Sequence, residues 1–154
     1  IALRLVGSEM CIRDRHDVSW RAHPDFRAET CFDYATRSNL GGLSHNERVF
    51  LGLALLHRYR NKSNASRLEP MISLLSSDDK KEAEVLGKAM RLGAMLWANP
   101  DDETAKLNWI KKKKILSLSL TAEAEPLFGE VAEERFRSLA KALSATPNID
   151  IKLT

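Results

Sequence analysis

The chain has 154 residues, of which 44% are hydrophobic and 29% are charged, and its formal net charge at pH 7 is +3. This positive excess is too small to indicate a nucleic-acid-binding domain, and no apolar run approaches the ~20 residues that span a bilayer. The length allows one domain with a real core, with or without a small appendage. We therefore expect no nucleic-acid partner and no membrane partner. Cys31 is the one cysteine after residue 15, so we expect no disulfide and a reducing, cytoplasmic location.

The N-terminal residues 1–15 differ from everything that follows. Residues 5–15, LVGSEMCIRDR, have no periodic spacing of apolar side chains, and Arg4 interrupts the apolar core that a signal peptide would need. The same stretch resembles the translation of a transposon-type sequencing-library adapter. We therefore treat residues 1–15 as non-native, expect the protein proper to begin near His16, and expect its N-terminal part to be missing.

The first predicted helix begins at Pro24. A proline is tolerated at the first helical position because its missing N–H has no partner there, and Asp25 favours the positive end of the helix dipole. Gly41 and Gly42 are predicted to end this helix, since glycine readily adopts the left-handed conformation of a C-terminal cap.

The second predicted helix has the clearest start in the sequence. Ser44 and Glu47 have the spacing of a capping box, and residues 49–56 are almost continuously apolar. A helix that is hydrophobic on all sides is expected to be central. We expect Gly52 to let another helix approach closely.

Two further helices follow, a short one over about 67–75 and a long one that starts at Ser76 or Ser77 and ends at Asn99 and Pro100. The acidic first turn of the long helix suits the helix dipole. Its buried side is predicted to contain Val85, Leu86, Ala89, Met90, Gly93 and Leu96.

From Ala105 to Thr121 the apolar residues alternate with polar ones, which is typical of half-buried strands. Four lysines separate the two alternating runs and are predicted to form the hairpin end: Lys111, Lys112, Lys113 and Lys114. A helix over about 130–143 and a possible third strand in the tail complete the chain. The prediction is a mainly α protein, with a helical HD-like domain at 16–100 and a small α+β subdomain at 101–154.

Two sequence blocks carry a family resemblance. WRAHPDFRAE at 20–29 and GGLSHNERVFLGLALLHRY at 41–59 resemble the C-terminal region of the exopolyphosphatase and guanosine pentaphosphate phosphatase family. The resemblance covers residues 16–151. It implies that phosphoanhydride cleavage, with magnesium, takes place in N-terminal actin-like domains that this chain lacks, and that the parent enzyme is a homodimer.

The basic residues are the candidates for contacts with polyphosphate. Arg27, Arg48, Arg58 and Arg60 are possible phosphate ligands, because a guanidinium binds phosphate oxygens through paired donors. Each arginine has nearby acids in the sequence with which it could pair instead. The four lysines of the hairpin end are either a solvated turn or an electrostatic collar for polyphosphate. Trp20, Trp97 and Trp109 are interpreted as core residues.

Three functions remain open at this point. The favoured one is a C-terminal domain that contributes polyphosphate contacts and a subunit interface to a hydrolase, with guanosine pentaphosphate as the alternative substrate. The second is a stand-alone HD-type metal phosphohydrolase, suggested by the His16-Asp17 pair. His45 and His57 are twelve positions apart on one helix, however, which is ~18 Å of rise and too far to share an ion. The third is a helical interaction module in which every arginine is structural.

A fragment of this kind should expose apolar surface where other domains would cover it. We expect such a patch near Val18, Trp20 and Phe26. Capping by His23 and His45 and packing by His57 are the roles predicted for those histidines.

Overall fold

The computed structural model describes residues 22–60, 66–96, 105–122 and 124–152. These residues form a mainly helical protein with a small sheet, as predicted. The elements in chain order are α1 Pro24–Arg37, α2 His45–Tyr59, α3 Glu69–Ile72, α4 Ser77–Leu96, β1 Ala105–Ile110, β2 Ile115–Thr121, α5 Glu130–Ala142 and β3 Thr146–Lys152. The chain divides into a first unit, residues 1–87, and a second unit, residues 88–154, with the boundary inside α4. Within the described ranges, no helix combines the length and the apolar character that crossing a bilayer requires.

Helix α1 begins as the sequence predicts and ends earlier than it predicts. His23 caps the start, where its Nδ1 accepts a hydrogen bond of 3.4 Å from the backbone N–H of Asp25. The helix ends at Arg37, because the backbone of Ser38 is extended. The prediction that Gly41 and Gly42 end the helix is therefore wrong: they belong to the turn that follows, in which Gly42 has φ +82°.

Helix α2 has the predicted capping box. The Ser44 N–H donates to Oε2 of Glu47 at 2.8 Å, and the Glu47 N–H donates to Oγ of Ser44 at 3.3 Å. The helix is central to the first unit, as predicted, because residues 51–57 are all buried. His57 is among them, which confirms its packing role, whereas His45 is exposed and does not cap the helix.

Ser44→Ala is expected to lower the free energy of unfolding by about 1 kcal/mol, because it removes the acceptor for an N-terminal N–H. Chemical denaturation of the whole chain measures this. Glu47→Gln is the matched control, since glutamine can still accept from the Ser44 N–H. A Ser44→Ala loss no larger than that of Glu47→Gln would contradict this role of the cap.

Helices α1 and α2 pack closely at Gly52, as the sequence predicts. A Cβ atom added at Gly52 would lie 3.0 Å from Cδ2 of Phe32, whose side chain is completely buried. Glycine at this position therefore leaves room for the aromatic ring in the core.

Helix α4 buries a different side from the one predicted. Ala83, Gly87 and Leu92 are buried, whereas the predicted residues Val85, Leu86, Ala89, Met90 and Gly93 are only half-buried. Of the predicted set, Leu96 alone is fully buried. The reason lies at Gly87, where a Cβ atom would lie 2.3 Å from the carbonyl oxygen of Ala54. At Gly87 the backbone of α4 comes closest to α2, and only glycine fits there. This close approach determines which side of α4 faces inward. The predicted end at Asn99 and Pro100 lies outside the described residues.

The second unit contains the predicted hairpin, helix and third strand. β1 and β2 are antiparallel, with Ala105 opposite Leu120 and Ile110 opposite Ile115. β3 pairs with β2 in parallel, and α5 connects these two strands. The core contains Leu116, Leu118 and Leu120 from one face of β2 together with Phe136 and Leu139 from α5. Nη1 of Arg135 donates to the carbonyl oxygen of Arg91 at 3.3 Å, which joins α5 to the last part of α4.

Candidate anion-binding surface

The end of the β1–β2 hairpin is built by a short 3-10 turn. The turn spans Lys111–Lys113, and Lys114 follows it in the left-handed conformation with φ 51°. The N–H of Lys114 donates to the carbonyl oxygen of Lys111 at 3.2 Å, and the N–H of Thr146 donates to the carbonyl oxygen of Lys114 at 2.7 Å. The backbone of the turn is thus tied to the first residue of β3, so the lysines project from a braced support.

The lysine cluster, defined as Lys111, Lys112, Lys113 and Lys114, is exposed throughout. In the part of the chain that the structure describes, none of the four forms an ion pair. Positive charges that are close together and have no local counter-charge create a field that attracts anions. The structure confirms the predicted hairpin end. Its positive charge suits an anionic ligand.

Two large apolar side chains accompany the lysine cluster. Trp109 is 38% exposed and Ile110 is 43% exposed. The expectation that Trp109 is a core residue is therefore wrong. Its position explains the difference: β1 is an edge strand, and Trp109 lies next to the hairpin end, opposite Leu116, where part of its ring reaches solvent. Trp20 and Trp97 lie outside the described residues.

The candidate arginines lie in the first unit and do not form one cluster. The Nε of Arg27 donates to the carbonyl oxygen of Ala22 at 3.0 Å in the first part of α1. Arg48 lies in the first turn of α2, and the guanidinium of Arg58 lies 5.6 Å from the ring centre of Tyr59 near its end. Ten residues of helix separate Arg48 from Arg58, which is about 15 Å of rise. The Nε of Arg48 is buried and has no hydrogen-bond partner among the residues that the structure describes.

Arg60 is engaged in an ion-pair network. Its Nη1 donates to Oε1 of Glu29 at 2.9 Å, and its Nη2 donates to the carbonyl oxygen of Asp25 at 2.8 Å. Arg67 adds a hydrogen bond of 3.1 Å to Oδ2 of Asp33 and lies 3.6 Å from Oε2 of Glu29. The hydrogen bond that Arg67 donates to Asp33 and the charge of Asp33, followed by the charge of Glu29, raise the pKa of Arg67 above its usual value. Arg60 thus forms the pair with a nearby acid that its sequence neighbourhood allows.

Arg67 is the member of this network that sequence reasoning missed. The available signal was the spacing of the acids on α1, because Asp25, Glu29 and Asp33 recur every four residues and therefore form one stripe. Two of these carboxylates, those of Glu29 and Asp33, pair with arginines from later segments of the chain. The network thus holds Arg60, which follows α2, and Arg67, which precedes α3, against α1.

Glu29→Ala is expected to lower the free energy of unfolding by about 1 kcal/mol, because both partners are partly exposed and water screens the pair. A double-mutant cycle with Arg60→Ala measures the coupling, which we expect to be about 0.5–1 kcal/mol and to fall in high salt. Glu133→Ala is a control with a partner on its own helix, Arg137. Additive Glu29 and Arg60 effects would contradict a direct ion pair.

The described residues contain no group of three or more His, Cys, Asp or Glu side chains that would hold a metal ion. His23 and His45 are exposed and His57 is buried. His16 and Asp17, which suggested an HD-type site, lie outside the described residues.

The described residues thus form a mainly helical protein with a small sheet, and the hairpin of that sheet ends in the basic lysine cluster. A sequence model of the family described as "Exopolyphosphatase, C-terminal" matches residues 8–147, which is most of the chain. The protein therefore belongs to the exopolyphosphatase C-terminal domain family, as the sequence resemblance indicates. No curated protein matches the sequence.

Proposed function

We propose that this chain is the non-catalytic C-terminal domain of a cytoplasmic exopolyphosphatase-type hydrolase, and that the lysine cluster contacts the polyphosphate substrate. The main support is the lysine cluster: its four side chains are exposed and form no ion pair among the described residues. The chain that presents them belongs to the exopolyphosphatase C-terminal domain family. A linear polyanion has closely spaced negative charges, and four adjacent ammonium groups can neutralise several of them at once. Cleavage of the phosphoanhydride bond belongs to the parent enzyme's N-terminal actin-like domains with magnesium.

Arg48 supports a second contact in this proposal. Its Nε is buried without a hydrogen-bond partner among the described residues, so this N–H has donor capacity that they do not use. The Arg48 side chain as a whole is half-buried, and a phosphate oxygen is a suitable acceptor for a guanidinium N–H that reaches solvent. Arg27 and Arg58 stay candidates with weaker support, because the structure gives each of them contacts within its own helix region.

Helix α1 supports the other part of the proposal, a contact with another domain or subunit. Phe26 is 63% exposed and Tyr34 is 47% exposed, and they are eight residues apart on one side of the helix. The exposure predicted for Phe26 is confirmed, whereas Val18 and Trp20 lie outside the described residues. Large exposed apolar side chains at helical spacing are typical of a surface that is covered in the assembled protein. We infer that in the parent enzyme α1 lies against the N-terminal domains or against the second subunit of a homodimer.

Polyphosphate binding by paired variants tests the role of the lysine cluster. Lys112→Gln/Lys113→Gln is expected to weaken binding about tenfold at low salt and to flatten the salt dependence, because two phosphate contacts are lost. Lys81→Gln/Lys141→Gln removes the same charge from two exposed lysines elsewhere and should have a much smaller effect. Isothermal titration with polyphosphate of defined length measures both. Equal affinities for the two double variants would refute a specific contact at the hairpin.

A further inference from the structure

The hairpin end combines charge with apolar surface on both of its faces. Successive residues of a strand point to opposite faces of a sheet. Trp109 is on the face of Leu116, and Ile110 is on the other face with its partner Ile115. Both Trp109 and Ile110 are exposed, and the lysine cluster begins at the next residue. The apolar side chains therefore flank the cluster from two sides.

This arrangement restricts the shape of a ligand that would use all six side chains. A linear ligand running over one face of the sheet reaches either Trp109 or Ile110, but not both. An extended surface that meets the hairpin end-on can touch both apolar side chains and the lysines between them. A single-stranded nucleic acid would find one stacking platform, Trp109, and nothing to stack on at Ile110.

An anionic lipid surface has the chemistry that matches these side chains. Tryptophan favours the headgroup level of a bilayer, and lysine lets its aliphatic stem lie in an apolar region while its ammonium stays at the polar headgroups. Clustered lysines are attracted by the negative potential of anionic leaflets, and stable attachment needs charge together with an apolar contact. The hairpin end supplies the charge through the lysine cluster and the apolar contact through Trp109 and Ile110.

We propose that the end of the β1–β2 hairpin docks on anionic membrane surfaces as a peripheral contact. Trp109 and Ile110 enter the headgroup region, and the lysine cluster binds lipid phosphates and carboxylates. This differs from the expectation of no membrane partner, which considered only segments that span a bilayer. The proposal shares its lysines with polyphosphate binding, so polyphosphate should displace the protein from vesicles. It does not depend on that function, because the apolar pair has no role in binding polyphosphate.

Vesicle co-sedimentation of the full chain tests the proposal. Binding to phosphatidylcholine vesicles that contain phosphatidylserine should be at least about tenfold tighter than binding to pure phosphatidylcholine, and Lys112→Gln/Lys113→Gln should reduce it about tenfold or more. Ile110→Ser should weaken vesicle binding about threefold and leave polyphosphate affinity unchanged, because it removes only apolar contact. Val131→Ser is the matched control, since Val131 is 54% exposed on α5.

Emission from Trp109 provides a readout that does not rely on these substitutions. In a Trp20→Phe/Trp97→Phe chain, brominated lipid in anionic vesicles should quench the remaining tryptophan. Three results would each overturn the docking mode: unquenched emission from bound protein, equal vesicle binding by Ile110→Ser and the unmodified chain, or no preference for anionic vesicles. Polyphosphate binding without vesicle binding would refute the membrane contact and leave the proposed function standing. Vesicle binding without polyphosphate binding would refute the proposed function and leave the membrane contact standing.

Discussion

Replacing Gly87 with alanine is expected to lower the free energy of unfolding by about 3 kcal/mol, the upper end of the usual cost of overpacking. The new Cβ would lie 2.3 Å from the carbonyl oxygen of Ala54 and 2.6 Å from Cβ of His57. Both atoms belong to or adjoin the backbone of α2, so they cannot rotate away. The helices would have to separate, and the packing around them would loosen.

Helix propensity alone predicts the opposite change in the free energy of unfolding, so the experiment separates the two effects. Alanine is favoured over glycine within a helix by about 1 kcal/mol, so an uncrowded Gly87→Ala would stabilise the protein. Gly41→Ala is the control, since no atom of the described residues lies within 4 Å of a Cβ atom there and its φ does not favour glycine. Urea denaturation of both variants measures the difference. Equal or higher stability of Gly87→Ala would mean that α4 does not approach α2 this closely.

Phe136→Ala is expected to lower the free energy of unfolding of the second unit by about 3–5 kcal/mol, the usual cost of removing a buried aromatic side chain. Phe136 is completely buried in α5 and meets Phe128 edge to face, with ring centres 6.5 Å apart. Alanine would leave a cavity in the core of the second unit, beside the ring of Phe128. The loss combines the transfer free energy of the ring with the cost of that cavity.

Hydrogen exchange measures the loss in the right part of the chain. The amides of β2 and α5 should lose protection in Phe136→Ala, because they depend on the core that the ring fills. Val131→Ala on the same helix is the control, and we expect its effect to stay within about 0.5 kcal/mol, since this side chain is exposed. Similar losses for Val131→Ala and Phe136→Ala would contradict the burial of the ring.

The elements that sequence reasoning predicted well are those encoded locally. The capping box of Ser44 and Glu47 needs only residues three positions apart, and the alternation in β1 and β2 needs only neighbours. The buried side of α4 was predicted wrongly because it depends on which backbone comes closest, which is a tertiary property. The parallel pairing of β3 with β2 is also tertiary, since alternation alone does not define a partner.

The candidate site shows the same division. The lysine cluster was predictable as the end of a hairpin, because four adjacent charges cannot be buried and lie between two alternating runs. The network of Glu29 with Arg60 and Arg67 was not, since its members are far apart in sequence. The exposure of Trp109 depends on an edge position that no local pattern reveals. Sequence therefore located the charges but not their pairing.

The proposed function requires that this domain binds polyphosphate without cleaving it. The most direct test incubates the purified chain with long-chain polyphosphate and magnesium and measures binding and phosphate release in the same samples. We expect binding that weakens with salt and with Lys112→Gln/Lys113→Gln, and no released phosphate. Metal-dependent phosphate release would contradict it in favour of an HD-type hydrolase, and no binding at low salt would reduce the domain to a helical interaction module.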